Sequence, residues 1–564
     1  MNQSNQSLKI GKCDTPIETA NLIIARLHEQ RDRWVKTDIQ ERLQILRQCM
    51  VNMHRVADTW VKVVCQIKGI PDGAALEGEV WMTGPSAVLR NLRLLIHALE
   101  AGGQPQAKQI RTRPDGQAIA QVFPDTWIDR LSLLGYAAEI WIEPGRSPSQ
   151  GAPYRHPPDR GRVGLVLGAG NISSIGPMDA LYKLFAEHQV VILKMHPLLN
   201  ALGAVIETAF QPLIERSVLA VVYGGGELGQ YLCHHSEVDT IHITGSHHTH
   251  DCIVWGNSPT EQRDRPPSQT PALTKPITSE LGCVTPILVV PGEWTSSDLE
   301  FQAQHVANML VHNASFNCVA GKVVVMAKGW AQRADFLDCL HRAIAAMPPR
   351  PSYYPGAFQR YQAFLDCYPQ SILLGSAADG CIPWTVIPDV MPKKGEYALS
   401  HEAFCGVLAE VTLEVDHPSD FLERAVAFVN QSVWGNLSCS LLIDPKTATR
   451  CADELEEAIA QLRYGTIALN TWPGIAYSLG VLPWGAFPGN PLDDIESGRG
   501  IVHNAYLFDY PQKSVLRAPF RVLSTPFWFT NHRNLRQVGQ RLTALEARQT
   551  WATFIPLAIA AIPG

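Results

Sequence analysis

Four short apolar runs between residues 163 and 244 constrain the fold more than any other part of the sequence. They are VGLVLG from Val163, VVILKM from Val190, VLAVVYG from Val218 and TIHIT from Thr240, and helical stretches separate them. Strands that are apolar nearly throughout and are joined by crossover helices are typical of a parallel sheet buried on both faces. The sequence therefore predicts an α/β architecture.

The flanking regions add helices, further strands and a tail. Thr37 to Gln40 has the form of a capping box and predicts the start of a helix. Strands are expected at 137–142, 286–290, 322–326 and 465–470, and a surface loop at Gly256–Pro271. The spacing of Leu535, Val538, Leu542 and Leu545 predicts a surface-docked helix. The apolar stretch Trp551–Gly564, broken by Pro556, is expected to be a docking tail rather than a membrane contact.

Composition argues against several classes of function. The chain has 564 residues, of which 46% are hydrophobic and 18% charged, so we expect a globular protein of roughly three or four units. A net charge of −6, without a long basic block, argues against a nucleic-acid partner. The polar N-terminal segment has no export signal, and no apolar run reaches about 18 residues. The thirteen scattered cysteines, without CxxC pairs, indicate reduced thiols in a cytoplasmic chain.

A histidine-rich segment follows the last of the four apolar runs. His242, His247, His248 and His250, with Cys252, suggest a metal site, but no tetrahedral ligand spacing recurs nearby. The better interpretation is a strand end that runs into a helix. No metal is expected.

Two glycine turns follow apolar runs. Gly224, Gly226 and Gly229 fit G-x-G-x-x-G, in which glycines let backbone N–H groups and a helix start approach phosphate. A tight turn without a ligand explains this pattern about as well. Gly245 and Ser246 form the second turn. The two turns are expected at neighbouring positions in a parallel sheet, where they would border a crevice.

Four polar residues near predicted strand ends could carry chemistry. Cys318 could be a nucleophile, and Glu280 could be the base that activates water in the second half of a thiol-mediated acyl reaction. Asn171 could donate to a developing oxyanion, and Lys194 could hold ribose or phosphate. The alternatives are an inert buried thiol, a solvated carboxylate and a helix-capping asparagine.

The ordered set of short motifs resembles the aldehyde dehydrogenase superfamily. GAGN with Asn171, ILKMHP with Lys194, TGS at 244–246, ELG at 280–282, Cys318, HEAFCG from His401 and YPQKSV at 510–515 are similar to its successive motifs. The resemblance extends to about Pro519, roughly nine tenths of the chain. Each motif is short, whereas the ordered set is specific.

The resemblance implies a role for each matching residue. Cys318 would be the nucleophile and Glu280 the general base, while Asn171 and the backbone N–H of Cys318 would form an oxyanion hole. A nicotinamide dinucleotide would be held by the remaining matching positions, with Glu402 on the nicotinamide ribose. These positions are Lys194, Gly224, Gly226, Gly229, Gly245, Ser246, Glu402 and Phe404.

The implied fold has a Rossmann-type cofactor domain, an α/β catalytic domain and a small β oligomerisation arm. Residues 1–136 and 158–280, with a return segment at 466–504, would form the N-terminal helices and the dinucleotide-binding domain. Residues 281–465 would form the catalytic domain, residues 137–157 and 505–526 the oligomerisation strands, and residues 527–564 a C-terminal tail. A homodimer or homotetramer is expected.

Several positions depart from the family pattern. Ser315, Phe316 and Asn317 precede Cys318 where a glycine and a polar amide are usual, Cys283 replaces a glycine, and Gly170 replaces an aromatic residue. Pro197 stands where a ribose-binding glutamate is common, so either NAD or NADP is expected as cofactor.

The predicted activity is oxidation of an aldehyde to a carboxylic acid with NAD or NADP, through a thiohemiacetal and a thioester on Cys318. One alternative is a reductase of acyl thioesters on the same fold, against which Glu280 argues because a water-activating base would hydrolyse the intermediate. Another is a non-catalytic scaffold or binding protein that retains the fold.

Overall fold

The structure of this protein is a computed structural model that describes residues 14–376, 378–522 and 524–562. The helices are α1 (Ile17–Lys36), α2 (Ile39–Lys68), α3 (Glu77–Trp81), α4 (Ala87–Glu100), α5 (Trp127–Ser132), α6 (Ala152–Arg155), α7 (Ile175–Phe185), α8 (Gly203–Ala209), α9 (Gln211–Glu215), α10 (Gly226–His234), α11 (His247–Trp255), α12 (Pro259–Ser268), α13 (Ser296–Val311), α14 (Arg333–Ala345), α15 (Ala357–Cys367), α16 (Tyr397–Ser400), α17 (Pro418–Ser432), α18 (Pro445–Arg450), α19 (Ala452–Gln461), α20 (Pro473–Leu479), α21 (Leu535–Ala547) and α22 (Trp551–Ala561).

Two sheets accompany these helices. The strands are β1 (Gln109–Thr112), β2 (Ala118–Phe123), β3 (Ala137–Ile142), β4 (Val163–Leu167), β5 (Val190–Lys194), β6 (Leu219–Val222), β7 (Thr240–Thr244), β8 (Ile277–Glu280), β9 (Thr285–Val289), β10 (Gly321–Ala327), β11 (Ile372–Leu374), β12 (Trp384–Val390), β13 (Val407–Leu413), β14 (Ser438–Leu442), β15 (Thr466–Leu469), β16 (Gly498–Arg499) and β17 (Pro511–Arg517). The prediction of an α/β fold is confirmed.

The smaller sheet has the strand order β16-β8-β7-β4-β5-β6. Its strands β8 to β6 are parallel to their neighbours, and β16 pairs antiparallel with β8. The chain runs outward from β4 through β5 and β6, then returns to the other side of β4 as β7 and β8. Where the chain adds strands first on one side of β4 and then on the other, a crevice forms at the carboxyl ends of the strands. This is the Rossmann-type arrangement.

The two glycine turns are not neighbours in this sheet. They follow β6 and β7, and β4 and β5 lie between these strands. The expectation of adjacent turns was wrong because chain order does not give spatial order in a doubly wound sheet. Parallel strands nevertheless bring both turns to the same edge.

The larger sheet has eleven strands in the order β1-β2-β3-β17-β15-β14-β9-β10-β13-β12-β11. Strand β10 is buried along its whole length, between the parallel neighbours β9 and β13. β17 pairs parallel with β15 and antiparallel with β3, so the expected oligomerisation strands continue this sheet within one chain.

Three segments differ from the sequence-based domain boundaries. Residues 466–469, expected in the return segment of the dinucleotide-binding domain, form β15 of the larger sheet, and only β16 of that segment joins the smaller one. β1 and β2, expected within the N-terminal unit, extend the antiparallel end of the larger sheet. These boundaries depend on strand pairings between distant residues, which short motifs do not encode.

Two local predictions were also wrong. The segment Gly256–Pro271 contains helix α12, because Ser258 and Glu261 hydrogen-bond each other's backbone N–H groups and Glu261 pairs with Arg265 one turn later. Helix α2 begins one residue later than expected, since Asp38 rather than Thr37 caps it by accepting from the N–H of Glu41.

The C-terminal helices dock on the N-terminal region. The hydroxyl groups of Ser86 and Thr543 lie 2.6 Å apart, and Arg536 pairs with Glu77 at 2.6 Å. Helix α22 continues through Pro556, which had been expected to interrupt it, and Trp551 stacks on Trp127 with a centroid distance of 4.1 Å. Residues 563 and 564 lie outside the described part of the chain. None of the helices within the described ranges combines the length and apolar composition that crossing a bilayer requires.

Candidate active site

A cavity of about 840 Å³ lies at the carboxyl edge of the smaller sheet and reaches the loop before β10. Its wall contains every predicted site residue except Gly224. These residues are Asn171, Lys194, Gly226, Gly229, Gly245, Ser246, Glu280, Cys318, Glu402 and Phe404. Lys194 ends β5 and Glu280 ends β8, so the parallel pairing of the strands explains why distant residues converge here.

Cys318 follows an unusual turn between α13 and β10. Asn313, Ala314 and Ser315 have φ values of 54°, 54° and 67°, which are left-handed conformations in three consecutive residues other than glycine. Each costs on the order of 1 kcal/mol, so surrounding contacts must hold the turn.

Asn313 is the centre of those contacts. Its Oδ1 accepts from Nζ of Lys68 at 2.7 Å and from the hydroxyl of Tyr353 at 3.1 Å. Its backbone N–H donates to Glu79 at 3.1 Å, and Arg350 binds that carboxylate with two hydrogen bonds of 3.0 and 2.8 Å. Although burial alone would raise it, Arg350 and other cationic neighbours lower the pKa of Glu79 to about 2. The turn therefore rests on a buried, charged support.

Asn171 lies directly against the same turn. Its side-chain Nδ2 donates to the carbonyl oxygen of Phe316 at 3.0 Å, which leaves the second N–H of the amide without a protein partner in the described chain. The backbone N–H of Cys318 likewise donates to no carbonyl of the described residues. Both N–H groups are therefore without a hydrogen-bond acceptor among the described residues.

Glu280 and Cys318 contact each other in the cavity. Burial raises the pKa of Glu280 to about 8, although the hydrogen bond to Cys318 opposes this effect. Burial is the main reason that the pKa of the Cys318 thiol lies well above its usual value, and the nearby Glu280 raises it further. Oε1 of Glu280 has no hydrogen-bond partner among the described residues. The pair is thus arranged as an uncharged thiol beside a carboxyl group whose proton is exchangeable near neutral pH.

The opposite part of the cavity fits the phosphates of a dinucleotide. Gly225 and Gly226 begin α10, and a Cβ atom on either would meet nothing within 4 Å, so ligand atoms could approach the backbone. Ser246 caps α11 by accepting from the N–H of Thr249 at 3.2 Å. Nζ of Lys194 donates to the carbonyl of Gly224 at 2.6 Å, which explains why Gly224 is part of the turn but not of the wall.

Glu402 reaches into the cavity from the larger sheet. A Cβ atom on Gly282 would collide with Oε2 of Glu402, so only glycine permits this approach. Burial raises the pKa of Glu402 to about 7, and Lys322 opposes this rise. Its Oε1 has no hydrogen-bond partner among the described residues, so it could accept a hydrogen bond from a hydroxyl group such as that of ribose. Phe404 stands beside it and packs edge-on against Tyr354 at 5.0 Å.

Sequence reasoning missed several residues of the site. His196 packs on Gly170, where a Cβ atom would collide with the imidazole, so His196 occupies the space of the absent aromatic residue. Burial, with the nearby Lys194, lowers the pKa of His196 to about 4. Lys322 donates to the hydroxyl of Ser315 at 2.7 Å and to the carbonyl of Cys405 at 2.9 Å, which ties the turn to the segment of Glu402. His196 belongs to the motif ILKMHP, in which only Lys194 was assigned a role, and no local motif indicates Lys322.

The histidine-rich segment, three tryptophans near the cavity and two neighbouring cysteines have structural surroundings. His247 packs against Trp434 at 4.9 Å, Trp484 is buried beside Glu280, and Trp472 lies behind the Cys318 turn. Within the described ranges, no group of three or more metal-ligating side chains is arranged to hold a metal ion. Burial raises the pKa of both Cys283 and Cys405 to about 11, as for inert core thiols.

Sequence comparison identifies one family. Residues 170–352, about a third of the chain, match the model described as the aldehyde dehydrogenase family. The matched segment includes Asn171, Lys194, Glu280 and Cys318. No curated protein sequence matches the chain.

Comparison with solved structures extends the similarity in fold. AldH of Staphylococcus aureus in a substrate-bound state has a TM-score of 0.59 at 18% identity, covering 91% of this chain and 96% of that one. NADP-dependent glyceraldehyde-3-phosphate dehydrogenase of Bacillus halodurans, complexed with NADP, gives 0.58 at 17% identity, with coverages of 88% and 91%. A mutant of aldehyde dehydrogenase C of Pseudomonas syringae, complexed with NAD+ and octanal, gives 0.59 at 15% identity, with coverages of 90% and 90%.

The resemblance drawn from the sequence is confirmed. Its motifs lie on one cavity, the segment 170–352 matches the family model, and the solved structures of similar fold are aldehyde dehydrogenases. The chain has the fold of the aldehyde dehydrogenase superfamily over about nine tenths of its length and carries the family's sequence pattern in residues 170–352.

Proposed function

We propose that this protein oxidises an aldehyde to a carboxylic acid with NAD or NADP, using Cys318 as a covalent nucleophile. The observation that carries the proposal is that Cys318, Glu280 and Asn171 line one cavity with the glycine turn at the start of α10. A nucleophile, a base, an oxyanion donor and a phosphate cradle in one cavity are the components that this chemistry requires.

The first half-reaction forms the bond to sulfur. Glu280, in its carboxylate form, takes the proton of Cys318, and the thiolate attacks the carbonyl carbon. The resulting oxyanion accepts from the free amide N–H of Asn171 and from the backbone N–H of Cys318. The nicotinamide of the dinucleotide supplies the oxidant, since it can accept the hydride that leaves the substrate carbon. Collapse of the oxyanion leaves a thioester on Cys318.

The second half-reaction releases the product. Glu280 first releases the proton of Cys318 to solvent and then takes a proton from water, which attacks the thioester carbon. The C–S bond breaks to give the carboxylic acid, and Glu280 returns the proton to the Cys318 sulfur. Over the cycle one aldehyde, one water and one oxidised dinucleotide give one acid, one reduced dinucleotide and one proton. Lys194, Ser246 and the glycine turn would hold the dinucleotide, and Glu402 would accept a hydrogen bond from its nicotinamide ribose.

The decisive experiment is an aldehyde panel with NAD and with NADP, followed by the absorbance of the reduced nicotinamide. We expect turnover by the wild type, loss of at least about 10³-fold in Cys318→Ala, and wild-type rates in the control Cys339→Ala on α14. Absence of turnover with every aldehyde and both cofactors would contradict the proposal and favour a non-catalytic scaffold.

A second measurement separates the thioester reductase alternative. Aldehyde oxidation in the presence of coenzyme A should remain dependent on Glu280 and should yield free acid, because water is the acceptor of the acyl group. A coenzyme A-dependent reaction that is unchanged in Glu280→Gln would instead assign the protein to acyl thioester chemistry.

A further inference from the structure

A second cavity, here called the tail chamber, lies between the N-terminal helices and the C-terminal tail. It has a volume of about 550 Å³ and is bordered by the π-helical segment Met82–Ser86 and by α4, α5, α20, α21 and α22. Most of its wall is apolar, including Leu133, Leu479, Leu542, Phe554 and Leu557. Its size and lining are those of sites that bind small apolar molecules.

The charged groups in the wall of the tail chamber neutralise one another. Arg90 pairs with Glu546 at 2.9 Å and with Asp129 at 3.3 Å, and Arg93 binds the other oxygen of Glu546 at 2.6 Å. Two cations and two anions therefore leave no charge for a ligand to balance. A phosphate, a carboxylate or coenzyme A would find no uncompensated cation there, whereas a hydrocarbon would lose nothing on entering.

The tail chamber adjoins the turn that carries the nucleophile. Trp472 and His312 contribute to its wall, and their rings lie 4.7 Å apart. Nε1 of Trp472 donates to the carbonyl of Val319 at 2.8 Å, one residue beyond Cys318. The indole of Trp472 thus lies between the tail chamber and the backbone that follows Cys318.

We infer that the tail chamber binds the hydrocarbon chain of the substrate, so that the protein acts on long-chain aliphatic aldehydes. This inference rests on the proposed function and names its substrate class. The carbonyl group reacts at Cys318, and the chain occupies the tail chamber beyond Trp472. Because burial of each methylene contributes about a fourfold gain in affinity, specificity should increase with chain length until the chamber is filled.

The kinetic test compares propanal with decanal in variants that fill the tail chamber from opposite walls. We expect Leu557→Trp in α22 and Ala87→Leu in α4 to lower kcat/KM for decanal at least tenfold, and to change it less than twofold for propanal. Leu22→Trp, at a position 62% exposed on α1, is the control and should change neither. An equal effect on both aldehydes, or no effect on decanal, would overturn the inference.

A binding test keeps the inference separate from the proposed function. The neutral fluorophore N-phenyl-1-naphthylamine should bind the wild type without any dinucleotide, and 1-decanol should displace it. Both filling variants, checked for folding by circular dichroism, should bind the fluorophore at least tenfold more weakly than Leu22→Trp. Unchanged binding in a folded variant would overturn the inference even if aldehydes are oxidised. Weakened binding without any aldehyde turnover would refute the proposed function and retain an apolar site.

Discussion

Glu280 shows how a single buried carboxyl group can set the pH range of the reaction. Its pKa is raised to about 8, chiefly by burial, so it is mostly protonated at pH 6 and mostly ionised at pH 9. Only the ionised form can accept a proton from Cys318 or from water. We therefore expect kcat to rise with pH, with a midpoint near 8. Glu280→Gln should lower kcat by about 10²-fold or more and abolish its dependence on pH. A wild-type rate that is flat from pH 6 to 9 would contradict this assignment.

The raised pKa also has a cost in stability, with a definite sign. Between the unfolded value of about 4.5 and the folded value near 8, the native state retains a proton that the unfolded state has lost. Stability must therefore fall as the pH rises through this window. Urea unfolding should show that the free energy of unfolding falls less between pH 5 and pH 8 in Glu280→Gln than in the wild type.

Lys68 is expected to control the shape of the Cys318 turn from a distance. Replacing it with methionine removes a charged hydrogen bond to Asn313, which supports three left-handed residues. We expect Lys68→Met to destabilise the protein by about 1.5–3 kcal/mol in urea unfolding and to lower kcat more than it raises KM. Lys62→Met, exposed on the same helix, is the control, and equal behaviour of the two variants would refute this role.

At the level of single residues, the sequence predicted what is carried by local motifs. Cys318, Glu280 and Asn171 were found because each lies in a short pattern, and they meet in one cavity. Lys68, Glu79, Arg350 and Lys322 were not found because each makes a contact with a residue far away in the chain. Buried charge partners of this kind have no signature in spacing.

At the level of elements, apolar strands were predictable and polar helices were not. Strands β4, β5 and β7 begin and end within one residue of the apolar runs, since burial on both faces leaves a continuous signal. Helix α12 has no apolar face to reveal it, and only its cap and one ion pair indicate helical structure.

Helices α21 and α22 should depend on one buried carboxylate for their docking. Glu546 is 2% exposed and binds both Arg90 and Arg93. Glu546→Gln leaves two partly buried cations with less compensation, so we expect the free energy of unfolding to fall by about 3 kcal/mol and the tail to be proteolysed faster. Glu300→Gln, exposed on α13, is the matched control, and intact resistance to protease in Glu546→Gln would show that other contacts hold the tail.

At the level of the whole molecule, the β1 edge of the larger sheet is the candidate for subunit association. β1 is exposed along its whole length and continues the predicted oligomerisation strands, whereas β11 lies at the opposite edge. An unpaired edge offers N–H and C=O groups to a second copy. We expect light scattering to give a homodimer or homotetramer and Ile110→Lys to dissociate it, with Leu373→Lys on β11 as the control. A monomeric wild type, or dissociation by Leu373→Lys alone, would contradict this prediction.

Global topology was the part least accessible to sequence. The α/β class follows from the apolar runs, but the order β8-β7-β4-β5-β6 and the membership of β15 in the larger sheet depend on long-range pairing. The family resemblance supplied the overall plan, and the strand partners that join its parts became visible only in the fold.

The tail chamber has a consequence for biosynthesis. Arg90 and its partner Glu546 are 456 positions apart, so a ribosome adding about 5–20 residues per second makes the second roughly half a minute or more after the first. During that interval Met82 and Ala87 face water without the helices that later cover them. In the nascent chain this apolar surface is therefore exposed until the C-terminal helices have been made. Chaperones that recognise apolar surfaces would bind it during that interval.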